Sequence, residues 1–429
     1  MSTIEIQPVA APPNARIRPP GSKSLTNRAL VCAALAGGTS TLTGVLQSED
    51  TQVMIEALRA LGVPIRLDHE THVAEVTGCG GTIPAESADL YVANSGTTVR
   101  FLTALVALGH GTFRLHGTPR MHERPIGDLL VALEQLGVRA QSEAGTGCPP
   151  VVVHAAGLKR AKAAMRGDVS SQFFSGLLMA APCATGNAGA PPLEIEIVGP
   201  LVSKPYVEMT LSVMRAFGAC AEVNRAWTKF EVAAIPYGPR SYEIEHDASA
   251  ASYFWAAAAI TGGRVLVEGL GKNSLQGDVA FCECLARMGC KVHEEKSGTA
   301  VEAGRLVGID VDMNHFSDTV QTLAAVALFA EGPTNIRNVG HIRHKETDRI
   351  SALATELRKL GATVEERPDG LRIVPAGLAG TELDTYGDHR MAMSLALVGL
   401  KIPGVVIRDP ECTAKTYPGF WEDLERLRG

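Results

Sequence analysis

Aromatic side chains make up only 5% of the 429 residues, and 40 basic side chains are outnumbered by 46 acidic ones, a formal net charge of −6. A general nucleic-acid binder wants the opposite sign and more stacking rings, so no nucleic-acid partner is expected. No apolar run reaches the roughly 18–20 residues of a membrane helix; even around Ala256–Ile260, glycines and polar residues intervene. The stretch Met1–Pro20 has no apolar core and carries Pro at 8, 12, 13, 19 and 20, so no secretory signal is expected there. The nine cysteines are scattered without a Cys-x-x-Cys, which predicts reduced thiols in a cytoplasmic protein, with no zinc site or disulfide framework. Nucleotide signatures are missing as well. Gly269-Leu270-Gly271-Lys272-Asn273-Ser274 looks like the end of a phosphate loop, but Asn follows the Lys and the spacing fails. His341-x-x-His344 has no acidic or Cys set to complete a metal site.

What is there is repetition. Hydrophobic residues at 45% and charged residues at 20% are globular values, and the length calls for several domains or an array of repeats. Six helices of small apolar residues open at Ser24, Thr97, Ser171, Ser249, Asp318 and Asp388, at intervals of 69 to 78 residues. Helices apolar nearly all round are buried. Each is followed by an amphipathic helix ending at Gly62, Gly137, Gly218, Gly289, Gly361 or Gly429, most of them candidate C-terminal caps. Short β-branched runs such as Val151–Val153, Val265–Val267 and Leu371–Val374 fill the gaps. The reading is an α/β chain of six strand–helix–strand–helix units with further strands. Pro-bearing stretches at Pro8–Pro20 and Pro236–Pro239 bracket the first three units and mark crossings between two halves.

The buried helices carry polar and basic residues at their N-terminal ends, where free N–H groups and the helix dipole favour anions. Gly21-Ser22-Lys23-Ser24 with Arg28, Asn94-Ser95-Gly96-Thr97 with Arg100, Asp168-Val169-Ser170-Ser171-Gln172, and Asp388-His389-Arg390 are such starts. Loops add Arg120 to Arg124, Ser203-Lys204-Pro205-Tyr206, Arg343 to Arg349, and Lys415. If the units fold alike, these positions converge, and a small ligand with several phosphates and carboxylates would satisfy them.

These residues fall into an order. GSKSLTNRALVCAALAGG, RMHERPIGDLL, DVSSQFFSGLLMAAP, LVSKPYVEMT, HDASAASYF, KNSLQGD, DMNHFSDTVQTLAA, HKETDRISALATELRKLGA, YGDHRMAMSLALVGL and DPECTAKTYP succeed one another along nearly the whole chain. In this the sequence resembles the 3-phosphoshikimate 1-carboxyvinyltransferase family. The resemblance implies two inside-out α/β barrel domains of three units each, one from residues 1–20 plus 246–429 and one from 21–245, with the active site in the cleft between them. It implies transfer of the carboxyvinyl group of phosphoenolpyruvate to the 5-hydroxyl of shikimate 3-phosphate in chorismate and aromatic amino-acid biosynthesis. No metal or organic cofactor is implied, and neither a nucleic-acid nor a membrane partner. A monomer is expected because closed repeats bury their own faces.

The resemblance also assigns roles. Asp318 is implied as base for the 5-hydroxyl, Glu346 as proton donor and acceptor at carbon 3, and Lys23 as a phosphoenolpyruvate contact that moves protons. Lys23, Gly96, Arg124, Gln172, Arg349, Arg390 and Lys415 are implied to bind phosphoenolpyruvate. Lys23, Ser24, Arg28, Ser170, Ser171, Gln172, Ser203, Asp318, His341 and Lys345 are implied to bind shikimate 3-phosphate, with Tyr206 near it and His389 in the active site. The chain departs from the common pattern at Ser95, Thr98 and Phe101, and at His341, where many members have Asn. Gly96 favours sensitivity to glyphosate, which occupies the phosphoenolpyruvate site in this family. The alternatives are UDP-N-acetylglucosamine enolpyruvyl transferase, whose mobile loop carries a Cys absent between Cys79 and Cys148 here, and a non-catalytic anion- or RNA-end-binding protein of the same fold.

Overall fold

Runs that alternate β-branched with polar residues become strands with alternate residues buried, as in Val151–Ala156 and Leu193–Val198. The computed structural model describes residues 2–184 and 192–428, and one stretch of it shows the repeat. Strand Ser87–Tyr91, helix Gly96–Val106, strand His110–His116 and helix Gly127–Gln135 lead into the hairpin Arg139–Ser142 and Val151–Ala156. The first two strands pair in parallel, as a helical crossover demands, and the hairpin adds antiparallel, giving the order first, second, fourth, third. The third and fifth repeats follow the same order.

The first and fourth repeats exchange their opening strands. Strand Asn14–Ile17 precedes the first repeat in sequence but pairs with Arg264–Glu268 of the fourth. Strand Ser241–Glu243 precedes the fourth repeat but pairs with Thr39–Thr43 of the first. The sixth sheet is completed by Thr3–Ile6, antiparallel to Val405–Arg408. Among the described residues there are thus six sheets, each open at its edges. The repeated α/β plan read from the spacing is present.

The chain divides into two compact units, Met1–Pro20 with Glu245–Gly429, and Gly21–Ile244. The sequence reading grouped Glu245 with residues 21–245. Its carboxylate accepts hydrogen bonds from Ser274 Oγ, Leu275 N and Gln276 Nε2, which seats it in the other unit. In each unit three central helices are buried on all sides. Every residue from Ala248 to Ile260 is buried, for example, because Ala and Ser allow close approach all round. The amphipathic helices lie outside them, as Arg349–Lys359 does with Ile350, Leu353 and Leu357 inward and Thr355 and Arg358 outward. Gly62, Gly137, Gly218, Gly289 and Gly361 follow these helices with φ between +86° and +109°, the conformation a C-terminal cap needs. Gly429 lies outside the described residues. No helix among the described residues is long and apolar enough to cross a membrane.

Candidate active site

In the unit Gly21–Ile244, helices Lys23–Leu35, Gly96–Val106 and Ser171–Ala180 present their N-termini at one end. Cross-links near their starts establish this: Asn27 Nδ2 donates to Thr97 Oγ1 at 2.8 Å, and Arg100 NH1 to Gln172 Oε1 at 2.7 Å. The cap of the first helix is Ser22, whose hydroxyl accepts from Leu25 N; Ser24, where the sequence places the helix start, sits inside the first turn. Ser95 and Ser170 cap the other two helices, with Ser171 and Gln172 on the first turn of the third.

Four cations, Lys23, Arg28, Arg100 and Arg124, gather around these ends. Lys23 Nζ lies 3.3 Å from Asp50 Oδ2 at the start of helix Glu49–Ala60. Arg28 is buried and donates to Thr210 Oγ1, Ser175 Oγ and the carbonyls of Ser24 and Tyr206, all neutral acceptors. Burial lowers its pKa to about 10, so it stays charged at neutral pH. Arg28 is therefore a fixed positive charge that also ties three helices together. Arg124 NH1 donates to both Asn94 O and Asn94 Oδ1, at 2.7 and 3.0 Å. Ser203 is buried at φ +54°, a strained left-handed conformation for a residue with a side chain, just before helix Lys204–Ala216.

Gly96 explains itself sterically. A Cβ there would sit 2.4 Å from an Arg124 guanidinium nitrogen and 2.9 Å from one of Arg100. Gly96→Ala should therefore displace the Arg124 fork. If Gly96 and Arg124 meet phosphoenolpyruvate as the resemblance implies, its Michaelis constant should rise roughly tenfold, about 1.5 kcal/mol for one charged hydrogen bond. That for shikimate 3-phosphate should change little. Steady-state titration of each substrate checks it, and an unchanged phosphoenolpyruvate constant would refute the steric account.

In the unit Met1–Pro20 with Glu245–Gly429, one guanidinium organises the charges. Arg349 is buried and forks onto Asp388, Nε to Oδ2 at 2.7 Å and NH2 to Oδ1 at 3.2 Å. It also donates to Glu346 Oε2 at 2.8 Å and to Asp318 Oδ1 at 3.4 Å. Burial alone would lower its pKa; the three carboxylates, Asp388 foremost, outweigh burial and leave it raised. Asp318 Oδ2 accepts from Arg390 NH2 at 2.8 Å, and Lys345 Nζ stands 4.0 Å from its other oxygen. Asp388 caps helix His389–Gly399 through Arg390 N, so this carboxylate fixes both arginines. Lys415 is buried at the end of the turn Pro410–Lys415.

Asp318 does not start a helix as the sequence suggested. It lies in the irregular turn Asn314–Thr319, kinked at Phe316, and Thr319 precedes helix Val320–Ala327. His341 is nearly buried, its Nε2 sharing a 2.9 Å hydrogen bond with Ser317 Oγ. Burial, then Lys345, push its pKa down to about 3. His389 is fully buried with no hydrogen-bond partner on either ring nitrogen among the described residues, and burial likewise pushes it far below its usual value.

A histidine of depressed folded pKa is neutral in the fold and protonates when unfolded, so stability is lost as pH falls below about 6.5. Each such histidine adds up to about 1.4 kcal/mol per pH unit in that range. Urea midpoints at pH 7.5 and 5.5 should fall more for the unmodified protein than for His341→Gln; equal falls would contradict it.

Sequence reasoning singled out Lys23, Gly96, Arg124 and Gln172 near one set of helix ends, and Asp318, Lys345, Glu346, Arg349 and Arg390 as neighbours in the other unit. It gave no role to Asp50, Arg100 or Asp388. Arg100 and Asp388 stood in the quoted helix starts, and a buried helix opening with a charge was the available signal. Asp50 had none, since its partner Lys23 is 27 positions away in the chain.

The EPSP synthase (3-phosphoshikimate 1-carboxyvinyltransferase) family model matches residues 10–424. A 3-phosphoshikimate 1-carboxyvinyltransferase of Nostoc punctiforme is 48% identical over 423 residues, 98% of this chain and 98% of its own length. The chloroplastic protein of that name from Arabidopsis thaliana is 48% identical over 445 residues, 99% of this chain and 84% of its own length. Among solved structures, an EPSP synthase from Acinetobacter baumannii superposes with a TM-score of 0.82 at 26% identity, covering 100% of this chain and 98% of its own. The enolpyruvyl transferase NikO from Streptomyces tendae shares the fold, with a TM-score of 0.76 at 21% identity over 99% of this chain and 96% of its own. With a family model spanning nearly its whole length and relatives this similar from end to end, the chain belongs to the EPSP synthase (3-phosphoshikimate 1-carboxyvinyltransferase) family.

Proposed function

We propose that the protein transfers the carboxyvinyl group of phosphoenolpyruvate to the 5-hydroxyl of shikimate 3-phosphate, releasing phosphate and 5-enolpyruvylshikimate 3-phosphate. The observation that carries the reading is the pair of carboxylates on one buried guanidinium. Asp318 and Glu346 both meet Arg349, at 3.4 and 2.8 Å, which holds two acid–base groups close together.

The chemistry is addition followed by elimination. Carbon 3 of phosphoenolpyruvate takes a proton from Glu346 while Asp318 takes the proton of the attacking 5-hydroxyl. The hydroxyl oxygen bonds to carbon 2, giving a tetrahedral ketal phosphate. Glu346 then takes a proton back from carbon 3, the C–O bond to phosphate breaks, and phosphate leaves with the proton that Asp318 took from the hydroxyl. Arg349 and Arg390 would face the phosphoenolpyruvate carboxylate, a planar group suited to their forks. Lys23, Gly96, Arg124, Gln172 and Lys415 would take its phosphate end. Ser24, Arg28, Ser170, Ser171, Ser203, His341 and Lys345 would bind shikimate 3-phosphate. All nine cysteines are free thiols, which suits the cytoplasm, and we read the working form as a monomer.

Phosphate release tests the reading. Both substrates together should release phosphate at a steady rate and either alone should not. Release with UDP-N-acetylglucosamine in place of shikimate 3-phosphate, or none with either acceptor, would overturn it.

A further inference from the structure

The turn that carries Asp318 is not a regular helix. Within Asn314–Thr319, Phe316 departs from helical geometry at φ −138° and ψ +46°. The turn is instead fastened to a second one, Gly340–His344, which leads directly into Lys345 and Glu346. Two side-chain hydrogen bonds belong to this fastening. Asn314 Nδ2 donates to Asn338 O at 3.0 Å, just before the second turn. His341 Nε2 and Ser317 Oγ share the 2.9 Å hydrogen bond, one residue from Asp318. The first fastening sits at the far end of the Asp318 turn; the second sits beside the carboxylate.

We infer that His341 is a positioning residue: through Ser317 it sets the Asp318 turn against the turn bearing Lys345 and Glu346, and so sets the geometry of the acid–base pair. This rests on the functional reading above and deepens it, since there His341 stands only as a substrate contact. Ring geometry separates the two roles. Asn carries a polar atom where imidazole has Nδ1, whereas Gln reaches to the position of Nε2. Asn at 341 can preserve a contact made through Nδ1 but not the bridge to Ser317; Gln can preserve the bridge. The imidazole is neutral at working pH, so it forms the bridge as an ordinary uncharged partner.

The experiment measures kcat and both Michaelis constants for His341→Asn, His341→Gln and Ser317→Ala, with the dissociation constant of shikimate 3-phosphate from calorimetry in the absence of phosphoenolpyruvate. His341→Asn should lose roughly tenfold or more in kcat, the scale of a small misplacement of a reacting group, and keep its shikimate 3-phosphate affinity. His341→Gln should restore most of that turnover. Ser317→Ala should lose as much as His341→Asn, and the double variant no more than either, because both break one link. Normal kcat in His341→Asn, no rescue by Gln, full activity in Ser317→Ala, or loss of shikimate 3-phosphate affinity with kcat intact would each overturn the inference. Absence of phosphate release by the unmodified enzyme would instead overturn the functional reading, and this inference with it.

Discussion

Changing Asp318 to Asn lowers turnover by at least about a hundredfold, the low end for a general acid–base group, while phosphoenolpyruvate binds as tightly as before or more tightly. The two halves of that expectation have one source. Asp318 lies 2.8 Å from Arg390, 3.4 Å from Arg349 and 4.0 Å from Lys345. A substrate carboxylate arriving at Arg390 competes with Asp318 for the same donor. Asn has the size and one acceptor oxygen but neither the charge nor the basicity. The arginines lose an anionic competitor, so binding does not suffer. Steady-state kcat and a phosphoenolpyruvate titration measure both halves. Near-normal turnover would mean that Asp318 serves only to anchor the arginines.

Removing Arg349 should do more damage to the fold than any other single change in this cluster. Arg349→Met leaves Asp388 and Glu346, both buried, without their shared cation. Breaking one partner of a buried ion pair costs about 3–5 kcal/mol, on the order of 10 °C in melting temperature for a unit of this size. The pH dependence has a definite sign. Unpaired buried carboxylates have pKa values raised above their unfolded ones, so the penalty is largest at high pH and eases as pH falls and they protonate. The gap in melting temperature between variant and parent should narrow from pH 8 to pH 5. A variant that melts with the parent at pH 8 would show that Asp388 finds a substitute partner.

The sequence displayed the helices better than what joins them. Six buried helices and their followers were visible because small apolar residues recur at a steady interval and glycines stop the amphipathic partners. The positions at helix starts were visible because a charge or hydroxyl opening an apolar run is conspicuous. The exchange of Asn14–Ile17 and Ser241–Glu243 between the first and fourth sheets was not legible, since both are four residues or fewer and their pairing is decided by the path of the chain, not by composition. Asp318 was misread as a helix start because Ser-Asp-Thr before an apolar run is what a cap looks like. The kink at Phe316 moves the true start to Val320, and nothing in the residue types announces that kink. The roles of Asp50 and Asp388 were hidden for the same reason: an ion pair between distant segments leaves no local mark.

The borrowed strands set a timetable for synthesis. Gly21–Ile244 has every strand it needs once residue 244 has left the ribosome. Thr3–Ile6 must wait for Val405–Arg408, and Asn14–Ile17 for Arg264–Glu268. At about 5–20 residues per second, the first of these waits lasts tens of seconds. During it the amino-terminal segment is a pair of bare strand edges beside a growing chain, the situation in which mispairing begins. The segment is built to sit it out. Each strand is only four residues, Glu5 and Arg16 interrupt them, and the prolines at 8, 12, 13, 19 and 20 deny hydrogen-bond donors to any unwanted partner. The prolines that marked the crossing in the sequence thus also guard the earliest-made strands until their late-made partners arrive.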